Sequence, residues 1–163
     1  MKNFIFDSSS FFLLEDVKLI SEYFQVNVQI RFDNQLINKQ QYSFSEKKKS
    51  FKHEISRART FGFKHEEEAL KSAGLAKGAS LENVIVINNE EILNTGGLRY
   101  KDEFVRHKLL DLIGDFYLAG VPIKANVTAV RPGHTINNKA LHKLLADKSA
   151  YKLVDSISWG ILR

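Results

Sequence analysis

Cysteine is absent from all 163 residues. Disulfides and thiolate metal sites are thereby excluded, and any metal must rest on histidine and carboxylate ligands. The same absence fits a reducing compartment, so a cytoplasmic location is the expectation. Long apolar runs are also missing. Near Met1 the longest is Phe11 to Leu14, with Asp7 and three serines upstream. That is too short for the core of a signal peptide and far too short for a transmembrane segment. No internal repeat, low-complexity linker or domain boundary interrupts the chain, whose length suits a single domain over residues 1–163.

What is present is the balance of an ordinary soluble protein, 44% hydrophobic and 26% charged. Lysine and arginine number 24 against 19 acids, a net charge of +5, which permits an anionic ligand. The densest basic patch is Lys47, Lys48 and Lys49, followed by Lys52. It reads as the solvated start of a helix, and no motif that reads DNA or RNA accompanies it, so no nucleic-acid partner is expected.

Residues 24–32 alternate strictly: Phe24, Val26, Val28, Ile30 and Phe32 are apolar, and Gln25, Asn27, Gln29 and Arg31 are polar. This predicts a half-buried strand. Further strands are expected at "FIF", "FFLL", "VKLI", "QYSFS", "NVIVIN" and "IKANVTAVRP". Ser45 reads as the N-cap of a helix carrying Phe51, Ile55 and Ala58. "RTFGF" breaks that pattern. A shorter helix is expected over 66–73 with Gly74 as its stop, a long one over 101–118 ending at Gly120, and a last one over 137–147. Asn88-Asn89 and Gly96-Gly97 mark turns, and "SISWGILR" reads as a loose tail. Together these elements predict an α+β two-layer sandwich, a mainly antiparallel sheet with helices on one face.

The long helix sets His107, Asp111 and Asp115 four residues apart, on one face. They form either a solvated stripe or a binding site. His107 and Asp111 at i and i+4 can offer two ligands to one metal ion, a spacing that many surface helices also carry. Lys108 can meet an anionic group beside them. His134, in the Pro-Gly loop of "RPGHTIN" just before a helix, either faces a cleft or is a solvated cap. In a cleft, Asp115 can accept its hydrogen bond and hold it protonated, as a general acid requires. Thr60 offers a hydroxyl between Arg59 and Phe61, or belongs to a turn with both phenylalanines of "RTFGF" in the core.

Four ordered blocks, "SRARTFGF", "GLAKGASLENVIVI", "LRYKDEFVRHKLLDLIGD" and "GHTINNKALHKLL", resemble the zinc-dependent UDP-3-O-acyl-N-acetylglucosamine deacetylases of lipid A synthesis. The resemblance is strong over residues 42–146 and covers the second of that family's two domains, each a small sheet with helices packed on it. It implies that His107 and Asp111 are two of three Zn2+ ligands. It also implies that Lys108 lies near the substrate's diphosphate, that His134 protonates the leaving amine, and that Asp115 orients His134. By the same resemblance Thr60 stabilises the oxyanion, Phe61 and Phe63 lie beside the sugar and near the nucleotide, and Phe32 lies under the uracil. Ala76, Ser80 and Val84 would line a tunnel for the fatty acyl chain of UDP-3-O-acyl-N-acetylglucosamine.

The family's third ligand and general base are an adjacent Glu-His pair in its first domain. This sequence contains no Glu-His pair; His53-Glu54 and His65-Glu66 stand in reverse order and read as surface helix residues. Glu67 and Glu68 fall where the tunnel entrance favours an apolar residue, and Arg31 stands where an acid is expected. Two functions follow as expectations. One is a deacetylase half that works with a first domain, on a separate chain if need be. The other is an inactive remnant or a UDP-sugar-binding domain without catalysis.

Overall fold

The computed structural model describes the backbone of residues 2–5 and 11–14 and all of residues 23–153. Five strands make the larger sheet: β1 (Lys2–Ile5), β2 (Phe11–Leu14), β3 (Gln25–Arg31), β4 (Lys39–Ser45) and β8 (Asn126–Val130), in the order β1-β2-β8-β3-β4. Its alternation is the cause of its register. Val26 lies opposite Phe44 on one side and Val127 on the other, and Val28 opposite Tyr42 and Ala129. All six side chains are buried on one face, as the period of two requires. Three strand pairs are antiparallel and one, β3 with β8, is parallel. Roughly a hundred residues of chain separate β3 from β8, ample for the crossover that a parallel pair needs.

That crossover contains the helices α1 (Phe51–Glu54), α2 (Glu67–Ser72) and α3 (Glu103–Phe116), and α4 (His134–Ala146) follows β8. α3 lies across β3 and β4, with α4 beside it. Its core stripe is Phe104, Val105, Leu109, Leu112 and Phe116, all but Phe116 wholly buried. Burying five such side chains contributes on the order of 1.5–3 kcal/mol each before entropy is counted. Gly120 ends the following 3-10 turn at φ 73°, where a side chain would be strained.

A second, three-stranded sheet was not expected. β5 (Thr60–Phe63) runs parallel to β6 (Val84–Asn88), and β6 pairs antiparallel with β7 (Glu91–Ile92). "RTFGF" is therefore a strand rather than a turn; four residues containing a glycine are too short to show a period of their own. Two helix starts also need correcting. Ser45 closes β4, and its carbonyl accepts from the Lys48 and Lys49 amides in a turn; Ser50 precedes the single-turn α1. α4 begins at His134, so that residue lies in the helix's first turn rather than in the loop before it. The short strand expected at "VKLI" and the tail "SISWGILR" lie outside the described residues. Among those residues no helix is long and apolar enough to cross a membrane.

Candidate active site

α3 carries the site's polar stripe. His107 and Asp111 leave only 13% of their side chains exposed, and Asp115 the same, so the stripe is not a solvated face. His107 Nε2 lies 3.2 Å from Asp111 Oδ1. Burial pushes the His107 pKa below its ordinary value, with Lys108 adding to the effect and Asp111 opposing it. A neutral imidazole is the ligating form of histidine. Its other nitrogen, Nδ1, is buried with no partner at ideal hydrogen-bond geometry, and the hydrogen-bonding influence it does feel, which raises the ring's pKa, comes from the Ala58 backbone.

Aromatic rings close one side. Phe61 of β5 meets His107 edge-on at 6.4 Å between centroids, Phe104 at 5.1 Å and Phe32 at 5.4 Å. Lys108 Nζ stands 5.9 Å above the Phe61 ring and 3.5 Å from Asp111 Oδ2. The structure thus brings Phe32, Phe61, Lys108, His107 and Asp111 together. Phe63 sits further out, stacked on His65 at 5.6 Å. With Phe32 it lines an open cleft of roughly 380 Å³ whose other walls are Asp33, Asn34, His65, Glu66 and Asn89. Asn34 Nδ2 donates to the Asn89 carbonyl at 3.0 Å and ties the loop after β3 to the β6–β7 turn.

The second pair lies further along α3. His134 Nδ1 is 3.0 and 3.1 Å from the two Asp115 oxygens, and Asn137 Nδ2 donates to Asp115 Oδ2 at 2.7 Å. The His134 side chain is 67% exposed, so the ring meets solvent while Asp115 is largely withdrawn from it. Thr60 opens β5 with its side chain exposed, beside Phe61 and two residues from Ala58. It shares no hydrogen bond with either pair.

Two groups here escaped the sequence reading. Glu103, wholly buried, accepts from Arg59 Nε at 2.9 Å, Arg59 Nη2 at 3.1 Å, the Arg59 amide at 2.9 Å and the Arg99 amide at 2.5 Å. Burial raises its carboxyl pKa, but these hydrogen bonds outweigh burial and hold it below the ordinary range. This clamp fixes the start of β5, hence Thr60 and Phe61, against the first turn of α3. Asn137 is the other. A Glu one turn before His107, and an Asn on the apolar stripe of α4, were the available signals.

The residues expected around the acyl chain are less gathered. Ala76 and Ser80 lie on an exposed loop, Val84 begins β6, and none lines the cleft beside Phe63. Glu67 is ion-paired with Lys64 and, at 2.6 Å, with Lys71. His53 and His65 are exposed, as surface residues should be.

His107 and Asp111 fit a metal in ligand type, and burial, which lowers the His107 pKa, favours the neutral ring that ligates. Among the described residues no group of three histidines or acids is placed to hold an ion, where catalytic zinc takes three protein ligands.

Fold and side chains together define a class: an α+β protein with a histidine–carboxylate pair on one helix and, further along it, an aspartate bound to a histidine of the next helix, donors of the kind metal-dependent hydrolases use. The particular family follows from comparison. The family model of the UDP-3-O-acyl N-acetylglycosamine deacetylases matches residues 14–146, and the chain belongs to that family. It is 46% identical over 134 residues to the UDP-3-O-acyl-N-acetylglucosamine deacetylase of Myxococcus xanthus, which covers 82% of this chain and 43% of that protein. The enzymes of the same name from a Nitratiruptor species and from Campylobacter jejuni subsp. doylei are 48% and 47% identical. These matches cover 78% and 80% of this chain and 43% and 44% of those proteins. The chain thus spans less than half the length of the curated relatives it matches.

Proposed function

We propose that this chain is the His107–Asp111 portion of a deacetylase that removes the N-acetyl group of UDP-3-O-acyl-N-acetylglucosamine in lipid A synthesis, in the cytoplasm. The observation that carries this is the pairing of His107 with Asp111 at 3.2 Å, on the same face of α3 as Asp115, which holds His134 of α4. The chain is read as one domain, residues 1–163. It acts with a segment bearing a Glu-His pair, whether that segment lies on a longer chain or on a separate one.

In this reading His107 and Asp111 hold Zn2+, which supplies Lewis acidity toward the amide carbonyl and a water of lowered pKa. The chain's own residues do the rest. Asp115, ionised, keeps a proton on His134 Nδ1 and steadies the imidazolium, whose other N–H delivers a proton to the departing amine nitrogen. The Thr60 hydroxyl donates to the oxygen that gains charge when the amide carbon becomes tetrahedral. Lys108 meets the diphosphate, and Phe61, Phe63 and Phe32 offer faces to the sugar and the uracil.

The test is acetate release from the UDP-sugar by the chain combined with a Glu-His-bearing segment. Unaltered protein should turn over, and His134→Ala should lower kcat by about 10²–10⁴-fold, the span of general acid–base catalysis. Equal rates in the two would sink the assignment. A second reading is favoured by the absence of a third ligand among the described residues. In it the chain binds the UDP-sugar through Phe32 and Lys108 without turnover, and nucleotide-sugar binding without acetate release in any combination would select it.

A further inference from the structure

Asn137 has no place in the mechanism so far, yet its position is anomalous. α4 buries Asn137, Ala140, Leu141 and Leu144, a stripe at i, i+3, i+4 and i+7 that a helix ordinarily fills with apolar side chains. Its first member is an amide, wholly buried. Asparagine is also a poor choice for a helix body, since its side chain competes with the backbone for hydrogen bonds. Packing alone would be served better by leucine.

The polar contacts account for the choice on one side only. Asn137 Nδ2 donates to Asp115 Oδ2 at 2.7 Å, while Asn137 Oδ1 is buried without a partner. Rotating the amide by half a turn would not relieve this: the carbonyl oxygen would then face the carboxylate, acceptor against acceptor. An ionised Asp115 can only accept, so the carboxylate itself selects the observed orientation. Asp115 accepts from two sides, from Asn137 on α4 and from His134 Nδ1 one turn earlier on the same helix.

We propose that Asn137 is a positioning residue: it fixes the Asp115 carboxylate in place, so that His134 keeps its proton on Nδ1. The chain of hydrogen bonds runs from a buried amide through a nearly buried carboxylate to an exposed ring. A carboxylate held by a donor whose own position is locked by packing cannot swing away from His134, and it has no proton to give back. The ring's tautomer and orientation follow. This deepens the reading of His134 as general acid and rests on that reading for its purpose, although the hydrogen-bond arrangement stands without it.

The experiment is two-bond ¹H–¹⁵N NMR of the histidine rings in the full chain, unaltered and as Asn137→Leu, at a pH where His134 is neutral. In the unaltered chain the His134 proton resides on Nδ1. In Asn137→Leu, which completes the apolar stripe, that majority is lost and the ring moves to the Nε2–H form that free histidine prefers. An unchanged tautomer in the folded variant overturns the proposal. If the variant does not fold, the unaltered chain still decides. A neutral His134 ring that carries its proton mainly on Nε2 in the unaltered chain overturns it. Neither readout requires turnover. Failure of acetate release would therefore remove the deacetylase reading and leave this one standing, and an unchanged tautomer would remove this one alone.

Discussion

A histidine that is 87% withdrawn from water, with one nitrogen against a carboxylate and the other buried beside the Ala58 backbone, is expensive to keep for stability alone. His107 is in that position, and its lowered pKa is the consequence of burial first. The Arg59–Glu103 pair one turn earlier is the stabilising counterpart. Glu103→Gln leaves the Arg59 guanidinium buried beside a neutral group, and should destabilise the chain by about 3–5 kcal/mol in urea unfolding. The pH dependence has a definite sign. Because hydrogen bonding holds the Glu103 carboxyl below its ordinary range, its contribution is present above the unfolded carboxylate pKa and is lost as the pH falls through the depressed folded value. In Glu103→Gln the acid limb of a stability-versus-pH curve should flatten. A limb as steep as the unaltered chain's would show that another carboxylate causes it.

At the scale of elements, one side chain ties the segment after β7 to the start of β6. Asn94, buried, donates to the Leu81 carbonyl at 2.6 Å and the Val84 carbonyl at 2.7 Å, and accepts from the Val86 amide at 3.0 Å. Asn94→Ala should cost about 1–3 kcal/mol and speed hydrogen exchange over residues 81–86 more than elsewhere. A uniform increase across the chain would contradict the local role. α1 depends on a different cluster, in which Tyr42 donates to Glu54 at 2.6 Å while Arg106 bonds Glu54 at 2.9 Å and Asp102 at 2.6 Å. Burial, then the bond to Glu54, pushes the Tyr42 phenol from 10.0 up to about 12. The stability it contributes is complete below pH 10 and should fall as the pH rises toward 12. Tyr42→Phe, measured by unfolding midpoints across that range, should lose the fall.

Which of these elements were legible is a matter of period and length. β3 and α3 are long and strictly patterned, and both stand where the alternation and the 3.6-residue stripe put them. β5 was missed because four residues cannot display a period, and its pairing partner β6 lies twenty residues away. α1 was overextended because Ile55 and Ala58 are indeed buried, but in a turn that leaves the helix. The polar stripe of α3 was legible as a stripe, and only burial separates a site from a solvated face. Asn137 and Glu103 were illegible as partners, since hydrogen bonds between α4 and α3, or between β5 and α3, leave no spacing in the sequence.

For the molecule as a whole, the His107–Asp111 pair on α3, the Asp115–His134 pair between α3 and α4, and the aromatic wall of Phe32 and Phe61 are what the described residues supply to the proposed site. Membership of the deacetylase family is carried by residues 14–146, and the matched relatives are more than twice as long as the matched segment. The central claim is that His107 and Asp111 are two ligands awaiting a third. The measurement that tests it most directly is zinc stoichiometry after equilibrium dialysis, for the chain alone and with a Glu-His-bearing first-domain segment, in unaltered and His107→Ala forms. Weak, substoichiometric zinc on the chain alone, one zinc per assembled pair, and its loss in His107→Ala is the predicted result. Zinc retained in full by the His107→Ala assembly would contradict it.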